Sequence, residues 1–224
     1  MKIVIFAPHP DDEFFGTGAA LFKWLDEGQD VHIVYMTDNS AGYTFNRALG
    51  CLVECEETQI SEYELAKIAK KEVEKVRKFL KLKKSNVHLL WFPDQKLSDF
   101  KEAAIMKVQE ILEDADIVVI PSNHNTHVDH QATFDVVTEA IDLLNIDPEI
   151  YVYCLYSVLK KLPPGKKLKF YLEGYNDKII EGLKLYKSQL YITYSAAKLE
   201  DLKTKKVQKL ANYRIRELGS YPNF

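Results

Sequence analysis

Five short apolar runs punctuate the chain, at residues 2–7, 31–37, 87–92, 117–121 and 150–156. Most are continuous and rich in Val and Ile rather than alternating, the pattern of strands covered on both faces, so they predict a mostly parallel sheet. Segments of helical period fall between them. The predicted helices span 17–27, closing before Gly28, then 62–82, 98–112 with Ser98 as N-cap, and 130–144. This βαβα alternation predicts an α/β fold of three layers, α/β/α, with right-handed crossovers. The expected strand order is 3-2-1-4-5.

Residues 38–61 show no sustained period and are too long for an idle connection, which marks a lid or binding loop. Beyond the fifth run come a basic turn, Lys160 to Lys169, a short strand near 168–172 and two helices, 176–185 and 195–218. No repeat, low-complexity tract or linker interrupts the pattern. The whole chain, 1–224, therefore reads as one domain.

Composition narrows the function. With 224 residues, 46% of them apolar, the chain has enough material for a sizeable core, and a net charge of -3 supplies no general attraction to nucleic acid. No apolar stretch approaches the ~20 residues of a transmembrane helix, and the N-terminus opens as a strand rather than a secretion signal. Cys51, Cys55 and Cys154 are too few and too scattered for a disulfide framework or a second metal site. A cytoplasmic protein is expected. Whether copies form a homo-oligomer is left open by the sequence.

The chemistry concentrates at two strand ends. His9-Pro10-Asp11-Asp12-Glu13 follows the first run, and His124, His127, Asp129 and His130 follow the fourth. Burying such groups at the mouth of a strand is costly unless a cation or a buried partner compensates. In the expected order the first and fourth strands flank the crevice where open α/β sheets bind ligands. Two imidazoles and one carboxylate, His9, Asp12 and His130, make a zinc set that leaves a position for water. Asp11 then serves as general base. His127 polarises the carbonyl or protonates the leaving group, with Asp129 fixing its tautomer. The role of His124 stays open.

The Pro8-His9-Pro10-Asp11-Asp12-Glu13 motif, with His127-Val128-Asp129-His130 downstream, resembles the LmbE/PIG-L family of zinc-dependent de-N-acetylases. Trp91-Phe92-Pro93-Asp94, Tyr186-Lys187-Ser188-Gln189 and the Arg214 to Tyr221 tail resemble further family segments. The resemblance implies a Rossmann-like fold and one zinc ion per chain, or another divalent ion in its place. It implies removal of the N-acetyl group from an N-acetylglucosamine-containing small molecule or short glycoside, with release of acetate. The same metal ligands, base and electrophilic pair carry over, and Asp94 is expected on sugar hydroxyls. Where many relatives carry an arginine, this chain has Ala69, followed by Lys70 and Lys71.

Among the aromatics near the loops, Tyr43 and Trp91 are the candidates for stacking on a sugar ring. Two other functions share parts of the pattern: a ferrous oxygenase with a facial triad, and a metal-bearing sugar-binding or regulatory protein without turnover. Neither explains a second carboxylate, Asp11, beside the metal set.

Overall fold

The structure is a computed structural model and describes residues 1–155 and 166–213. Its core is a twisted sheet begun by β1 (Lys2–Ala7), β2 (Asp30–Thr37), β3 (Val87–Phe92), β4 (Ile117–Pro121) and β5 (Glu149–Tyr153). These five pair in parallel in the expected order, with Ile3 beside Val31 on one side and Ile117 on the other. β6 (Lys166–Tyr171) and β7 (Val207–Tyr213) extend the sheet with antiparallel pairing, giving β3-β2-β1-β4-β5-β7-β6.

Helices α1 (Asp12–Asp26), α3 (Glu62–Phe79), α6 (Asn176–Leu183) and α7 (Thr193–Leu202) contribute to a core that buries Ile3, Ile5, Ile33 and Tyr35 on one face. Helices α4 (Lys101–Leu112) and α5 (Val128–Leu144) bury Val4, Phe6, Val34 and Val118 on the other. Both faces of the central strands are thus covered, which is why their sequences run apolar without alternation. α6 crosses α1 closely: a Cβ on Gly182 would clash with the buried Phe14 ring, so glycine is favoured there.

Three expectations change. The helix expected over 195–218 ends at Leu202, and β7 follows, because 203–206 form a lysine-rich turn before a stretch in which Gln208 and Leu210 are buried and Lys209 is exposed. Gln208 reaches back to α1, accepting the N–H of Ala19 and donating to the carbonyls of Phe14 and Phe15. Ser98 does not cap a helix; it lies in a 3₁₀ turn, Leu97–Phe100, ahead of α4. The 38–61 segment is not structureless: it holds α2 (Gly42–Ala48) and is pinned by a β-bridge between Leu52 and Ile192.

Candidate metal centre and catalytic cleft

The chain turns sharply between β1 and α1. Asp11, at the N-cap of α1, has φ 114° and ψ -22°, a conformation that L residues rarely adopt and that costs ~1–3 kcal/mol. Local bonds hold it: the Asp11 carbonyl accepts the N–H groups of Phe14 and Phe15, and its own N–H donates to Glu13 Oε2 at 3.1 Å. Glu13 is held in turn from below. Tyr186 donates to Glu13 Oε1 at 2.7 Å, and its hydroxyl lies 2.8 Å from that of Tyr35. All three side chains are buried.

β1 and β4 are adjacent, so their C-terminal ends deliver His9, Asp12 and His130 to one place. Asp12 Oδ2 lies 3.3 Å from His9 Nδ1 and 3.2 Å from His130 Nε2. Those separations exceed the ~2.7–2.9 Å of a charge-assisted N–H···O bond and match the ~3.3 Å edge between ligands placed ~2.0–2.1 Å from a tetrahedral centre. Asp12 Oδ1 is buried with no hydrogen-bond partner among the described residues. On the far side of the His9 ring, Nε2 faces Asp94 Oδ1 and Asp129 Oδ2, each at 3.2 Å.

Donor atoms of His9, His127 and His130 converge within 4.8 Å of one another, as do those of His9, Asp94, His127 and Asp129. This His/Asp group is able to hold a metal ion, and its members also carry other hydrogen bonds. Asp129 already accepts the backbone N–H groups of Gln95 at 2.8 Å and Leu97 at 3.2 Å, and His127 Nε2 lies 2.8 Å from the Gln95 carboxamide. Asp12 Oδ2 likewise accepts a backbone N–H, that of His9 at 3.0 Å, and Oδ1 is left with no partner among the described residues.

The concentration of buried acid sets the electrostatics. Burial, with the charges of Asp12 and Glu13, raises the Asp11 carboxyl well above its ordinary range. Burial also raises Asp94. Asp12 is lowered despite burial, because His130 and His9 favour its charged form, and Asp129 is lowered chiefly by its bond to His9. Burial opposes charge on His9, yet the surrounding carboxylates raise it. Burial and the neighbouring imidazoles bring His127 down to about 3, so this ring is neutral at ordinary pH. The Asp129 N–H faces His127 Nδ1 at 3.3 Å and the Gln95 carboxamide nitrogen faces His127 Nε2 at 2.8 Å, so both ring nitrogens meet N–H groups.

Two expected roles are corrected by this geometry. The Asp129 carboxylate does not orient His127; it is aimed at His9 and the 95–97 turn, and only its backbone N–H meets the His127 ring. Trp91 has φ 58° where the β2–β3 register shifts, and it packs into the α1-side core. Trp91 is half-buried there, whereas Tyr43 is buried, donating to the Ser188 carbonyl at 3.1 Å. Neither aromatic lines the cleft.

Above the site opens a cleft of about 340 Å³. His9, Asp11, Asp94 and His127 form its ionisable floor, and Asn39, Asn46, Gln95 and Gln189 supply carboxamides. Asp94, expected on substrate hydroxyls, lines the cleft but turns Oδ1 to His9. His124 is exposed and lies off the lining. Ala69 is buried in α3, and Lys71 opens onto a separate groove beside Tyr43 and Ser188, so neither it nor Lys70 lines the cleft. Sequence reasoning missed Glu13, Gln95, Gln189 and Lys198. Lys198 interacts electrostatically with Asp12 and Asp11, while burial lowers its ammonium to about 8. Of these, Glu13 carried a signal as the last residue of the Pro8–Glu13 motif and Gln189 as part of the Tyr186–Gln189 motif.

A mostly parallel sheet carrying a His/Asp cluster at the ends of β1 and β4 defines the class: an LmbE-like α/β protein. The family model described as PIG-L, GlcNAc-PI de-N-acetylase, matches residues 4–141, and the chain belongs to that family. A diacetylchitobiose deacetylase of Thermococcus kodakarensis is 28% identical over 149 residues, 65% of this chain and 51% of that protein. The chain thus spans about half the length of this curated relative. The N,N'-diacetylchitobiose deacetylase of Pyrococcus horikoshii superposes with a TM-score of 0.68 at 20% identity, covering 95% of this chain and 83% of that one. A zinc-inhibited form of the teicoplanin deacetylase Orf2 superposes with a TM-score of 0.71 at 14% identity, covering 96% and 98%. At such identities the likeness to these structures shows the fold. These three relatives are deacetylases.

Proposed function

We propose that the chain is a divalent-metal-dependent deacetylase, using zinc, that hydrolyses the N-acetyl group of an N-acetylglucosamine-type sugar and releases acetate. The observation that carries this reading is the division of labour between adjacent carboxylates. Asp12 turns toward two imidazole nitrogens, while Asp11, in strained backbone, presents a buried oxygen with no hydrogen-bond partner among the described residues beside the cleft.

His9, Asp12 and His130 would hold the ion, and Asp94 and Asp129 flank His9 Nε2 to fix its ring. When bound, a divalent cation supplies Lewis acidity toward a carbonyl oxygen and a water. Asp11 takes the proton of the attacking water, aided by a raised carboxyl basicity. His127, which lines the cleft, donates a ring N–H to the amide oxygen as negative charge develops there; being neutral, it acts as a hydrogen-bond donor rather than an imidazolium acid. As the C–N bond breaks, Asp11 returns its proton to the departing amine. Acetate and a free amino sugar result, and the whole chain acts as one catalytic domain.

Zinc-loaded protein should release acetate from N-acetylglucosamine conjugates. Asp11→Asn should keep its zinc and lose at least ~100-fold in kcat. Undiminished release by that variant would remove Asp11 as the base.

A further inference from the structure

The wall of the cleft opposite its polar side is apolar and fixed in place. Phe45 of α2, Leu49 just past its end, and Ile192 and Tyr194 at the start of α7 all line the cleft. Phe45, Leu49 and Tyr194 are 39%, 59% and 38% exposed, so the rim presents accessible apolar surface. This rim is no loose lid. The Leu52–Ile192 bridge, the Val53 N–H on the Tyr191 carbonyl at 2.8 Å and the Thr193 N–H on the Cys51 carbonyl at 2.9 Å join its two sides. Lys198 Nζ sits 4.7 Å over the Tyr194 ring and steadies it further.

The polar side is also incomplete by itself. Asn39 is buried and lines the cleft, and its Nδ2 has no hydrogen-bond partner among the described residues. Buried donors are rarely left unpaired, so this one points to an acceptor on a ligand. Charge selects against one kind of ligand. No lysine or arginine is among the described lining residues, whereas Asp11 and Asp94 lie in the floor. Arg47, on α2 itself, is spent elsewhere, donating to Glu54 Oε1 and to the Thr58 carbonyl.

We infer that the cleft takes an uncharged glycoside of the acetylated amino sugar, with sugar hydroxyls on the Asn39, Asn46 and Gln189 carboxamides and an apolar aglycone, aryl or alkyl, against Phe45, Leu49 and Tyr194. The inference rests on the deacetylase reading and names its substrate class. A volume of about 340 Å³ lies at the small end of ~300–1,000 Å³ ligand sites, so the sugar fills the interior and the aglycone lies along the rim.

The test measures acetate release by the zinc-loaded full chain from the methyl, phenyl and octyl glycosides of N-acetylglucosamine and from its 1-phosphate. The phenyl and octyl glycosides should exceed the methyl glycoside by at least ~10-fold in kcat/KM, the effect of burying one ring or a short alkyl chain, and the 1-phosphate should fall below it. In the Leu49→Ser/Tyr194→Ser variant the phenyl-to-methyl ratio should collapse toward one, with circular dichroism confirming the fold. Acetate released equally from all the glycosides, or fastest from the 1-phosphate, would overturn the aglycone inference and leave the deacetylase standing. No acetate from any of them would sink the deacetylase reading and this inference with it.

Discussion

Tyr186→Phe removes a single oxygen remote in sequence from both strand-end motifs and tests how the base is held. That hydroxyl donates to Glu13 Oε1 at 2.7 Å and meets the Tyr35 hydroxyl at 2.8 Å, and no water reaches any of the three. Loss of a buried hydrogen bond to an acid costs ~1.5–3 kcal/mol, so a stability loss of about 2 kcal/mol is expected. For a chain of this size that lowers Tm by ~4–8 °C. The functional effect runs through Glu13 Oε2, which accepts the Asp11 N–H and keeps residue 11 in its unfavourable φ. A loosened Glu13 lets Asp11 relax away from the reacting water, and displacements well under 1 Å suffice for a loss of ~10-fold in kcat. KM and zinc content should hold, since the metal ligands and the cleft walls are untouched. Thermal denaturation, metal analysis and steady-state acetate release measure all of this. A Phe variant with unchanged Tm and unchanged kcat would refute the brace, and a fall in KM performance with normal kcat would relocate Tyr186 to substrate binding.

His130→Ala should abolish zinc retention by equilibrium dialysis, whereas His127→Ala should retain zinc and lose ~100-fold in kcat; equal zinc loss in both would show that His127 is a ligand. Asp129→Asn should weaken zinc binding by ~10–100-fold while leaving the neutral His127 ring in place, as expected of a carboxylate that orients His9, and zinc affinity equal to the unmodified chain would contradict that. The half-buried His88, stacked on His32 at the opposite end of the sheet from the cleft, is lowered by burial and by His32 to about 4. The folded chain therefore keeps it neutral while the unfolded chain protonates near pH 6.5, so stability is complete above 6.5 and is lost as pH falls toward 4. Partial exposure discounts the effect to about 1 kcal/mol. Urea titrations of the unmodified chain and His88→Asn at pH 7 and pH 4.5 should differ by that amount, and parallel behaviour would contradict it.

Much of the fold was legible because continuous Val/Ile runs have few other homes than a sheet covered on both faces, and the order of β1 to β5 follows. The strand β7 was not, since Leu210 and Ala211 also fit a helical period beginning in α7, and only the tertiary partner β5 decides between them. The site was legible where a motif sits at a strand end, as His9, Asp12 and His130 do. It was obscured where backbone direction matters. Asp129 is next but one to His127, yet His127 is an N-cap in extended conformation and Asp129 lies inside the first helical turn, so their side chains diverge. Trp91 has a left-handed backbone where the β2–β3 register shifts, which an apolar run does not announce. Glu13 reads as a helix-start acid in the sequence, and its pairing with residues 35 and 186 exists only after folding.

Anomalous X-ray scattering at the zinc edge, from crystals grown with one equivalent of zinc, addresses the metal site most directly. One strong peak bonded to His9 Nδ1, Asp12 and His130 Nε2, with Asp11 beside it and unbonded, is the expected outcome. A peak bonded to Asp94 or Asp129 in place of Asp12, or none between the β1 and β4 ends, would contradict the assignment of those two strand ends as a single metal site.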